Sequence, residues 1–268
     1  MNHHTLTAEH IDAGYNHKTI LSDVSVTIPK NKISVILGAN GCGKSTLLKT
    51  FARLLTPQNG QIILDGRAVP EIPSRQMAKT LGLLPQSPVV PDGIKVMDLV
   101  SRGRFPYRQF LKSMTKEDFA AVEEAMEIMG ITELADRAVD ELSGGQRQRV
   151  WIALALAQQT DILLLDEPTT FLDIAYQIEI LDMLTDLNRK HQTTIVMVLH
   201  DINLSARYAD YLFAMKKGKL VAEGTPDKII TPELMNEVYG LACDVITDPV
   251  SHSPMILPKG RHYASPTA

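Results

Sequence analysis

The chain has 268 residues, of which 44% are hydrophobic and 22% charged, and its formal net charge is −4. This composition is typical of a globular protein with a sizeable core, and the charge excludes a general attraction to nucleic acid or anionic lipid. The two cysteines lie far apart and outside any C-x-x-C pair, which argues against a disulfide framework or a zinc site, and no stretch resembles a signal peptide or an apolar membrane span of ~18 residues.

The first third of the chain contains short strands around a glycine-rich loop. The stretches "TLTAEHI", "DVSVTI" and "GQIILDG" alternate apolar and polar residues, which predicts antiparallel strands. Between the second and third of them lies the apolar run "ISVIL", residues 33–37, then the loop, then a predicted helix with Leu47, Leu48 and Phe51. The predicted order at this point is strand, loop and helix.

The loop fits the pattern G-x-x-x-x-G-K-[ST]. A glycine-rich turn can point backbone N–H groups at an anion, and the helix that follows adds the positive end of its dipole. In such a loop Lys44 would reach the β- and γ-phosphates and Ser45 would bind Mg²⁺, so the pattern favours a nucleoside triphosphate site over a plain turn. The predicted cofactor-binding residues of the loop are Gly38, Asn40, Gly41, Cys42, Gly43, Lys44, Ser45 and Thr46.

Cys42 lies inside this loop, next to a predicted helix N-terminus. That environment lowers the pKa of a thiol, so we expect alkylation of Cys42 to inhibit the protein and ATP to protect it. The alternative is that Cys42 is only a small residue that fits the loop.

Helices dominate the middle of the chain, and we place a helical insert at residues 87–158. In "TKEDFAAVEEAMEIMG", Thr115 and Asp118 occupy capping-box positions, Phe119, Val122, Met126 and Met129 follow at helical spacing, and Gly130 ends the helix.

The stretch "LSGGQRQRVWIALALAQ" begins a second helix of the insert. Ser143 is a good N-cap with Gln146 three residues later, so Gly144 and Gly145 expose N–H groups at the helix N-terminus. Local chemistry alone supports an anion site and a simple well-capped helix start equally.

Two continuous apolar runs, "DILLLDE" and "TTIVMVLH", predict strands covered on both faces of a parallel sheet. The first ends in Asp166 and Glu167, which places two carboxylates at the carboxyl edge of the sheet, where α/β folds bind ligands. One carboxylate could hold Mg²⁺ while the next orients and deprotonates water. Taken alone, a solvated turn after a strand is the better interpretation.

Together these stretches resemble the ATP-binding cassette (ABC) ATPases over nearly the whole chain. Residues 38–46 are similar to the Walker A motif, residues 142–146 match the LSGGQ signature, and residues 162–167 are similar to the Walker B strand with its catalytic glutamate. The resemblance implies an α/β fold, the P-loop NTPase ABC cassette, with a RecA-like parallel-sheet core, an antiparallel β subdomain and an inserted α-helical subdomain.

The same resemblance divides the chain. It assigns residues 1–86 and 159–240 to the nucleotide-binding core with its β subdomain and residues 87–158 to the helical and signature subdomain. We expect the tail, residues 241–268, to form a short strand pair followed by disorder.

Smaller motifs of the family carry over to single residues. Tyr15 resembles the aromatic residue that stacks on adenine, Gln86 the Q-loop glutamine that touches Mg²⁺ and water, Asp173 the D-loop aspartate, and His200 the switch histidine that contacts the γ-phosphate. A turn tyrosine and a structural histidine are the alternatives for Tyr15 and His200. The resulting assignments are catalytic Glu167, His200 and Gln86, and metal-binding Ser45, Gln86 and Asp166.

The resemblance also implies partners. Two cassettes, expected to be identical, face head to tail, and each ATP with its Mg²⁺ lies between the Walker A loop of one and the signature of the other. The residues expected to complete the site from the second chain are the signature residues Ser143, Gly144, Gly145 and Gln146 and the D-loop residue Asp173. The dimer would bind two transmembrane permease subunits that work with an extracytoplasmic substrate-binding protein. We therefore expect a peripheral protein on the cytoplasmic face of the cell membrane.

The cargo is indicated by three further stretches. "PDGIKVMDLVSRGRFPYRQFL", "PTTFLDIAYQIEIL" and "HDINLSARYAD" resemble ATPases of importers for ferric siderophores, haem and vitamin B12, most of all the ferric-siderophore group. We predict import of iron(III)-siderophore complexes; haem, vitamin B12 or another metal chelate is the alternative.

Two other classes of function stay open. A soluble ABC ATPase acting on nucleic acid or ribosomes is one, and a nucleotide-binding regulator without turnover is the other, although Glu167 and His200 argue against it. We expect no nucleic acid partner, but the cluster Arg102, Arg104, Arg108 and Lys112 could be a nucleic-acid patch, part of a permease groove or a solvated face. His3, His4 and His10 have no metal-site spacing and receive no role.

Overall fold

The computed structural model describes residues 4–16, 18–86, 92–108, 113–170 and 172–260. The predictions for Lys112, for His3 and for disorder at the end of the tail lie outside these ranges. In chain order the strands are β1 (Leu6–Tyr15), β2 (Lys18–Thr27), β3 (Ile33–Leu37), β4 (Asn59–Leu64), β5 (Arg67–Ala68), β6 (Leu81–Leu84), β7 (Ile162–Asp166), β8 (Thr194–Val198), β9 (Tyr211–Lys216), β10 (Lys219–Gly224), β11 (Cys243–Thr247) and β12 (Pro254–Pro258).

Nine helices are described between these strands. They are α1 (Lys44–Phe51), α2 (Ser74–Thr80), α3 (Val96–Ser101), α4 (Lys116–Ile128), α5 (Gly144–Ala157), α6 (Ile174–His191), α7 (Ile202–Tyr208), α8 (Pro226–Ile229) and α9 (Pro232–Tyr239). Short 3₁₀ turns cover Val69–Glu71, Arg102–Arg104, Thr132–Leu134 and Val139–Glu141. Among the described helices, none is both long enough and apolar enough to cross a membrane.

A six-stranded sheet forms the centre, in the order β10-β9-β3-β8-β7-β6. All neighbours pair in parallel except β9 and β10, which form an antiparallel edge. Every residue of β3, β7 and β8 is buried, as their continuous apolar sequences predict. The predicted parallel strands are therefore confirmed, and their carboxyl ends meet at one edge of the sheet.

The central sheet separates two hydrophobic cores, because successive side chains of a strand point to opposite faces. Val35, Leu37 and Leu165 face a core shared with the helical region and the C-terminal helices. Ile36 and Leu164 face a second core that contains α1 and the antiparallel sheet. Both faces of the sheet are thus covered by other layers of the protein.

The antiparallel sheet has the order β2-β1-β4-β5 and contains the three alternating stretches predicted to form such strands. That prediction is confirmed. The sheet packs on α1, and β1 ends at Tyr15, so its turn lies beside the phosphate loop.

Helices α3, α4 and α5 lie between β6 and β7, inside the range expected for the insert. The Thr115 capping box forms as predicted, and Val122, Met126 and Met129 are buried, whereas Phe119 is about half exposed. The division of the chain into subdomains at the predicted boundaries stays a prediction.

Arg104 is not a surface residue of a basic patch. Its side chain is buried, and Nε donates to Asp118 at 2.9 Å while Nη1 donates to the Ala157 carbonyl at 2.8 Å. A buried, paired guanidinium cannot contact a nucleic acid. Arg104 is therefore excluded from the proposed nucleic-acid patch.

The tail forms the predicted strand pair. Strands β11 and β12 make an antiparallel hairpin that packs on α7. Asn203 of α7 accepts a hydrogen bond from the Ile256 N–H at 2.8 Å, and Arg207 donates to Asp248 at 2.6 Å. The hairpin is therefore fixed to the helix that follows His200.

Candidate nucleotide-binding site

The glycine-rich loop connects β3 to α1 at the carboxyl edge of the central sheet. Gly38, Gly41 and Gly43 all have positive φ, at 150°, 76° and 109°. A Cβ on Gly38 would lie 2.4 Å from the Met215 carbonyl oxygen and 2.5 Å from the sulfur of Cys42. Glycine is required here by both backbone conformation and close packing.

Lys44 carries a buried positive charge at the centre of the loop. Its side chain is only 5% exposed, and Nζ donates to the carbonyls of Gly38 at 2.7 Å and Ala39 at 3.3 Å. Helix α1 begins at Lys44 with Gly43 as its N-cap, and no side chain caps its first N–H groups. The hydrogen-bond partners of Lys44 Nζ among the described residues are the two carbonyls and no carboxylate, so the loop presents a cation beside a helix N-terminus, which suits a phosphate chain.

Asp166 and Ser45 form an oxygen pair beside the loop. Ser45 Oγ donates to Asp166 Oδ1 at 2.8 Å, and Asp166 is only 2% exposed. Burial raises the pKa of this carboxyl, against the hydrogen bond from Ser45, and the neighbouring Glu167 raises it further. A buried carboxylate beside a hydroxyl fits a magnesium ion, because the cation would offset the cost of burying the charge.

Glu167 lies at the centre of a polar cluster. His200 Nε2 is 2.8 Å from one carboxylate oxygen, and Gln86 Nε2 and Thr170 Oγ1 donate to the other at 2.6 Å and 3.0 Å. Desolvation raises the pKa of Glu167, but the hydrogen bonds and the charge of His200 outweigh it and hold the pKa below its ordinary value. The three residues predicted to be catalytic thus meet at one carboxylate, which is ionised at neutral pH.

An open cleft of about 480 Å³ joins these groups. Tyr15, 43% exposed, stands at its wall, where its ring face is available for stacking. The lining residues are Tyr15, Ile20, Asn40, Gly41, Gly43, Lys44, Ser45, Thr46, Gln86, Glu167 and His200. Most residues predicted to bind nucleotide or to act on it therefore line one cavity, with Asp166 buried beneath them.

Comparison with known proteins decides the family. The sequence profile of the family described as "ABC transporter" matches residues 21–170. The chain belongs to the ABC transporter ATPases. It binds and hydrolyses ATP, as members of this family do.

Two relatives of this ABC ATPase are ATP-binding proteins of transport systems. It is 50% identical over 256 residues to the Bacillus subtilis (strain 168) protein YusV, a "probable siderophore transport system ATP-binding protein", covering 96% of this chain and 93% of YusV. It is 48% identical to the ferric enterobactin transport ATP-binding protein FepC of Escherichia coli (strain K12), covering 96% and 94%. Among solved structures, the dimeric bacterial ABC transporter cassette MJ0796 matches with a TM-score of 0.73 and 26% identity, covering 82% of this chain and 98% of that one.

The signature residues of this ABC ATPase lie apart from its cleft. Ser143 Oγ accepts from the Gln146 N–H at 3.2 Å, and Gln146 Oε1 accepts from the Ser143 N–H at 3.1 Å, so the predicted capping box forms. Asp173 caps α6 by accepting from the Tyr176 N–H at 3.3 Å. None of Ser143, Gly144, Gly145, Gln146 and Asp173 is among the described residues that line the cleft.

The lowered thiol pKa expected for Cys42 is wrong. Its side chain is 5% exposed and packs in the core beneath the loop, where burial raises the pKa of the thiol although Lys44 opposes the shift. The helix N-terminus cannot activate a thiol that points away from solvent. Its burial favours the alternative that Cys42 is a small residue that fits the loop, while inhibition by alkylation and protection by ATP stay a prediction.

One residue at the loop was not predicted. The hydroxyl of Tyr239 accepts a hydrogen bond from the Gly38 N–H at 2.8 Å. Tyr239 is 201 positions from Gly38 and belongs to no motif of the nucleotide site. No pattern in the sequence of this ABC ATPase signals the contact, because it depends on how α9 packs.

Proposed function

We propose that this ABC ATPase drives the import of iron(III)-siderophore complexes. The observation that supports the chemistry is the ionised Glu167 carboxylate, held by His200 and Gln86 beside the phosphate loop. The cargo is supported by the siderophore and ferric enterobactin names of relatives that match along almost their whole length.

The site residues would divide the work as follows. Lys44 would exchange the carbonyls of Gly38 and Ala39 for phosphate oxygens, and the N–H groups of the loop would hold the rest of the phosphate chain. Ser45, Gln86 and Asp166 would hold Mg²⁺, which when bound neutralises charge on the β- and γ-phosphate oxygens. Tyr15 would stack on adenine.

Glu167 would then act as the general base. One carboxylate oxygen accepts from Gln86 and Thr170, whereas the other faces only His200 among the described residues, so this second oxygen has a lone pair left to accept a proton from an attacking water. His200 and Gln86 would orient that water and sense the γ-phosphate.

We further propose that the working unit is a homodimer of cassettes. The signature glycines Gly144 and Gly145 stay outside the cleft of their own chain, and the dimeric MJ0796 cassette shows that such chains pair. The signature of the second chain would close the phosphate site in trans. Two permease subunits and an extracytoplasmic binding protein would complete the importer, with the ATPase attached at the cytoplasmic face of the membrane.

The competing soluble function on nucleic acid is less well supported. The net charge is −4, and Arg104, a member of the basic cluster considered above, is buried against Asp118. Import of haem, vitamin B12 or another metal chelate stays the main alternative, because the cargo contacts belong to the permease and the binding protein.

Uptake of a radiolabelled ferric siderophore tests the proposal. Cells that lack the gene and any redundant ATPase receive the wild type, Glu167→Gln, or the control Glu71→Gln, an exposed carboxylate that does not line the cleft. We expect uptake with the wild type and Glu71→Gln, and none with Glu167→Gln. Normal uptake in the deletion strain would contradict the siderophore assignment and redirect the test to haem and vitamin B12.

A further inference from the structure

The phosphate loop is touched by the C-terminal part of the chain through Tyr239. The phenol oxygen lies 2.8 Å from the backbone nitrogen of Gly38, the first residue after β3. The carbonyl of the same residue accepts from Lys44 Nζ at 2.7 Å. Both backbone polar groups of Gly38 are therefore hydrogen-bonded, the N–H to Tyr239 and the carbonyl to Lys44.

Such a restraint has a physical purpose at Gly38. The residue has φ 150°, a conformation that glycine adopts without cost but also leaves easily, because it has no Cβ to limit rotation. A loop that must point several N–H groups at one anion binds more tightly when its conformation is set in advance. The hydrogen bond from Gly38 to Tyr239 sets the direction in which the loop leaves β3.

Tyr239 is itself fixed in place. It is the last residue of α9, whose Met235 and Val238 are buried in the core against the central sheet. Thr231 caps the start of the helix by accepting from the Leu234 N–H at 3.2 Å, and Gly240 ends it with a bond to Asn236 at 2.8 Å. The hydroxyl thus has a defined position relative to β3.

The phenol remains a neutral hydroxyl at the pH of any assay. Burial raises the pKa of Tyr239 to about 12, although the hydrogen bond from Gly38 acts in the opposite direction. Its contribution to the loop should therefore not vary with pH in the neutral range.

We propose that Tyr239 is a positioning residue for nucleotide binding: its hydroxyl orders the phosphate loop through Gly38 before the triphosphate arrives. Tyr239 does not line the cleft and touches no reacting atom. The inference rests on the proposed ATP site and adds the C-terminal helix to it. It also gives the segment beyond the matched residues 21–170 a part in ATP affinity.

The test removes one oxygen atom. Tyr239→Phe keeps the ring and its packing, and Tyr208→Phe is the matched control, because Tyr208 donates to Asp182 at 2.8 Å and does not line the cleft. ATP affinity is measured on the full chain by titration with a fluorescent ATP analogue, together with KM and kcat in the transporter complex. Hydrogen exchange of peptides covering residues 33–41 follows the loop directly.

We expect Tyr239→Phe to weaken ATP binding and raise KM by about three- to tenfold, the effect of one hydrogen bond, with kcat within about twofold because the reacting groups stay in place. Exchange in the peptides that contain Gly38 should be faster than in the wild type by the same factor at pH 6.5 and at pH 8. Tyr208→Phe should change none of these quantities.

Three results would overturn the inference. They are an unchanged ATP affinity in Tyr239→Phe, equal losses in both variants, and a Tyr239→Phe chain that does not fold, since the last would assign the hydroxyl to the fold rather than the loop. Failure of the wild type to bind ATP is a different result, because it would refute the proposed function itself.

Discussion

Glu167 shows at the scale of one residue how the structure positions the proposed general base. Its backbone lies in the left-handed region at φ 55°, which a non-glycine residue adopts only when its surroundings stabilise it. Here the carboxylate is stabilised by His200, Gln86 and Thr170, which come from three separate segments of the chain. The strained backbone directs the carboxylate into the cleft, where its depressed pKa keeps it ionised.

Replacing Glu167 by glutamine should separate binding from turnover. The amide keeps the size of the side chain but cannot accept a proton, so we expect kcat to fall by about 10²- to 10⁴-fold while ATP affinity changes by less than about threefold. Phosphate release by the purified complex and equilibrium ATP binding measure the two quantities. Turnover within a few-fold of the wild type would remove Glu167 from the role of general base, and Glu71→Gln controls for a general effect of losing a carboxylate.

At the scale of secondary-structure elements, the ion pair Arg104–Asp118 connects the helices α3, α4 and α5 of the insert. Arg104, in the 3₁₀ turn after α3, donates to Asp118 in the first turn of α4 and to the carbonyl that ends α5. Asp118 also accepts from the Thr115 N–H at 3.0 Å, so one carboxylate closes the capping box and binds the guanidinium. Removing the guanidinium would leave a buried charge without its partner.

We therefore expect Arg104→Ala to lower the free energy of unfolding by on the order of 3–5 kcal/mol. Urea unfolding followed by circular dichroism measures it. Arg102→Ala, an exposed neighbour in the same turn, should cost less than about 0.5 kcal/mol. Equal small losses in both variants would show that the pair does not hold the three helices together.

The same pair predicts a dependence of stability on pH. Burial raises the pKa of Asp118, but hydrogen bonds from Thr115 and Arg104 outweigh it, so the net pKa lies below the ordinary value of 3.8. A carboxyl with a lowered pKa in the folded state stabilises the protein above its unfolded pKa and loses this contribution as the pH falls. The stability difference between the wild type and Asp118→Asn should be constant above about pH 5 and shrink below pH 4. A difference that stays constant down to pH 3 would contradict it.

At the scale of the whole molecule, local patterns and distant contacts were not equally predictable. The buried strands, the phosphate loop and the capping boxes at Thr115 and Ser143 follow from residues close together in the sequence, and the structure contains them. The contact of Tyr239 with Gly38 joins residues 201 positions apart. Only the packed structure reveals such a contact, because no local pattern encodes it.

Two further residues illustrate the limit. His4 had no role in the sequence, yet its ring lies between the carboxylates of Asp65 and Asp161, 61 and 157 positions away. Cys42 was expected to be reactive from its position in a loop, but the direction of its side chain, which sequence does not show, buries it. The chemistry of a residue type can be read from a motif, whereas its exposure depends on the fold.

The largest assembly-scale prediction concerns the signature. An added Cβ at Gly144 would meet no atom of its own chain within 4 Å, so this position can be changed without disturbing the fold that carries it. An aspartate there would also be favourable at a helix N-terminus. If the signature serves only the partner's ATP, Gly144→Asp should abolish turnover by repelling a phosphate bound to the second chain.

Mixed dimers make this prediction specific. A Lys44→Ala chain has a defective phosphate loop and an intact signature, and a Gly144→Asp chain has the reverse, so each homodimer should be inactive. In a mixed dimer, the intact loop of the Gly144→Asp chain faces the intact signature of the Lys44→Ala chain, which rebuilds one complete site. We expect phosphate release to reappear when the two variants are assembled together with the permease, at up to about a quarter of the wild-type rate if chains pair at random, mixed dimers turn over with one site and each site contributes equally.

The control carries both substitutions in one chain. Mixed at equal amounts with either single variant, it should not restore activity, because every site in these mixtures lacks an intact loop or an intact signature. Recovery of activity only from the two single variants would place ATP between two chains. No recovery, with both variants folded and assembled, would mean that both sites must be intact in one dimer or that the signature acts on its own chain; activity of the Gly144→Asp homodimer alone would remove the signature from catalysis.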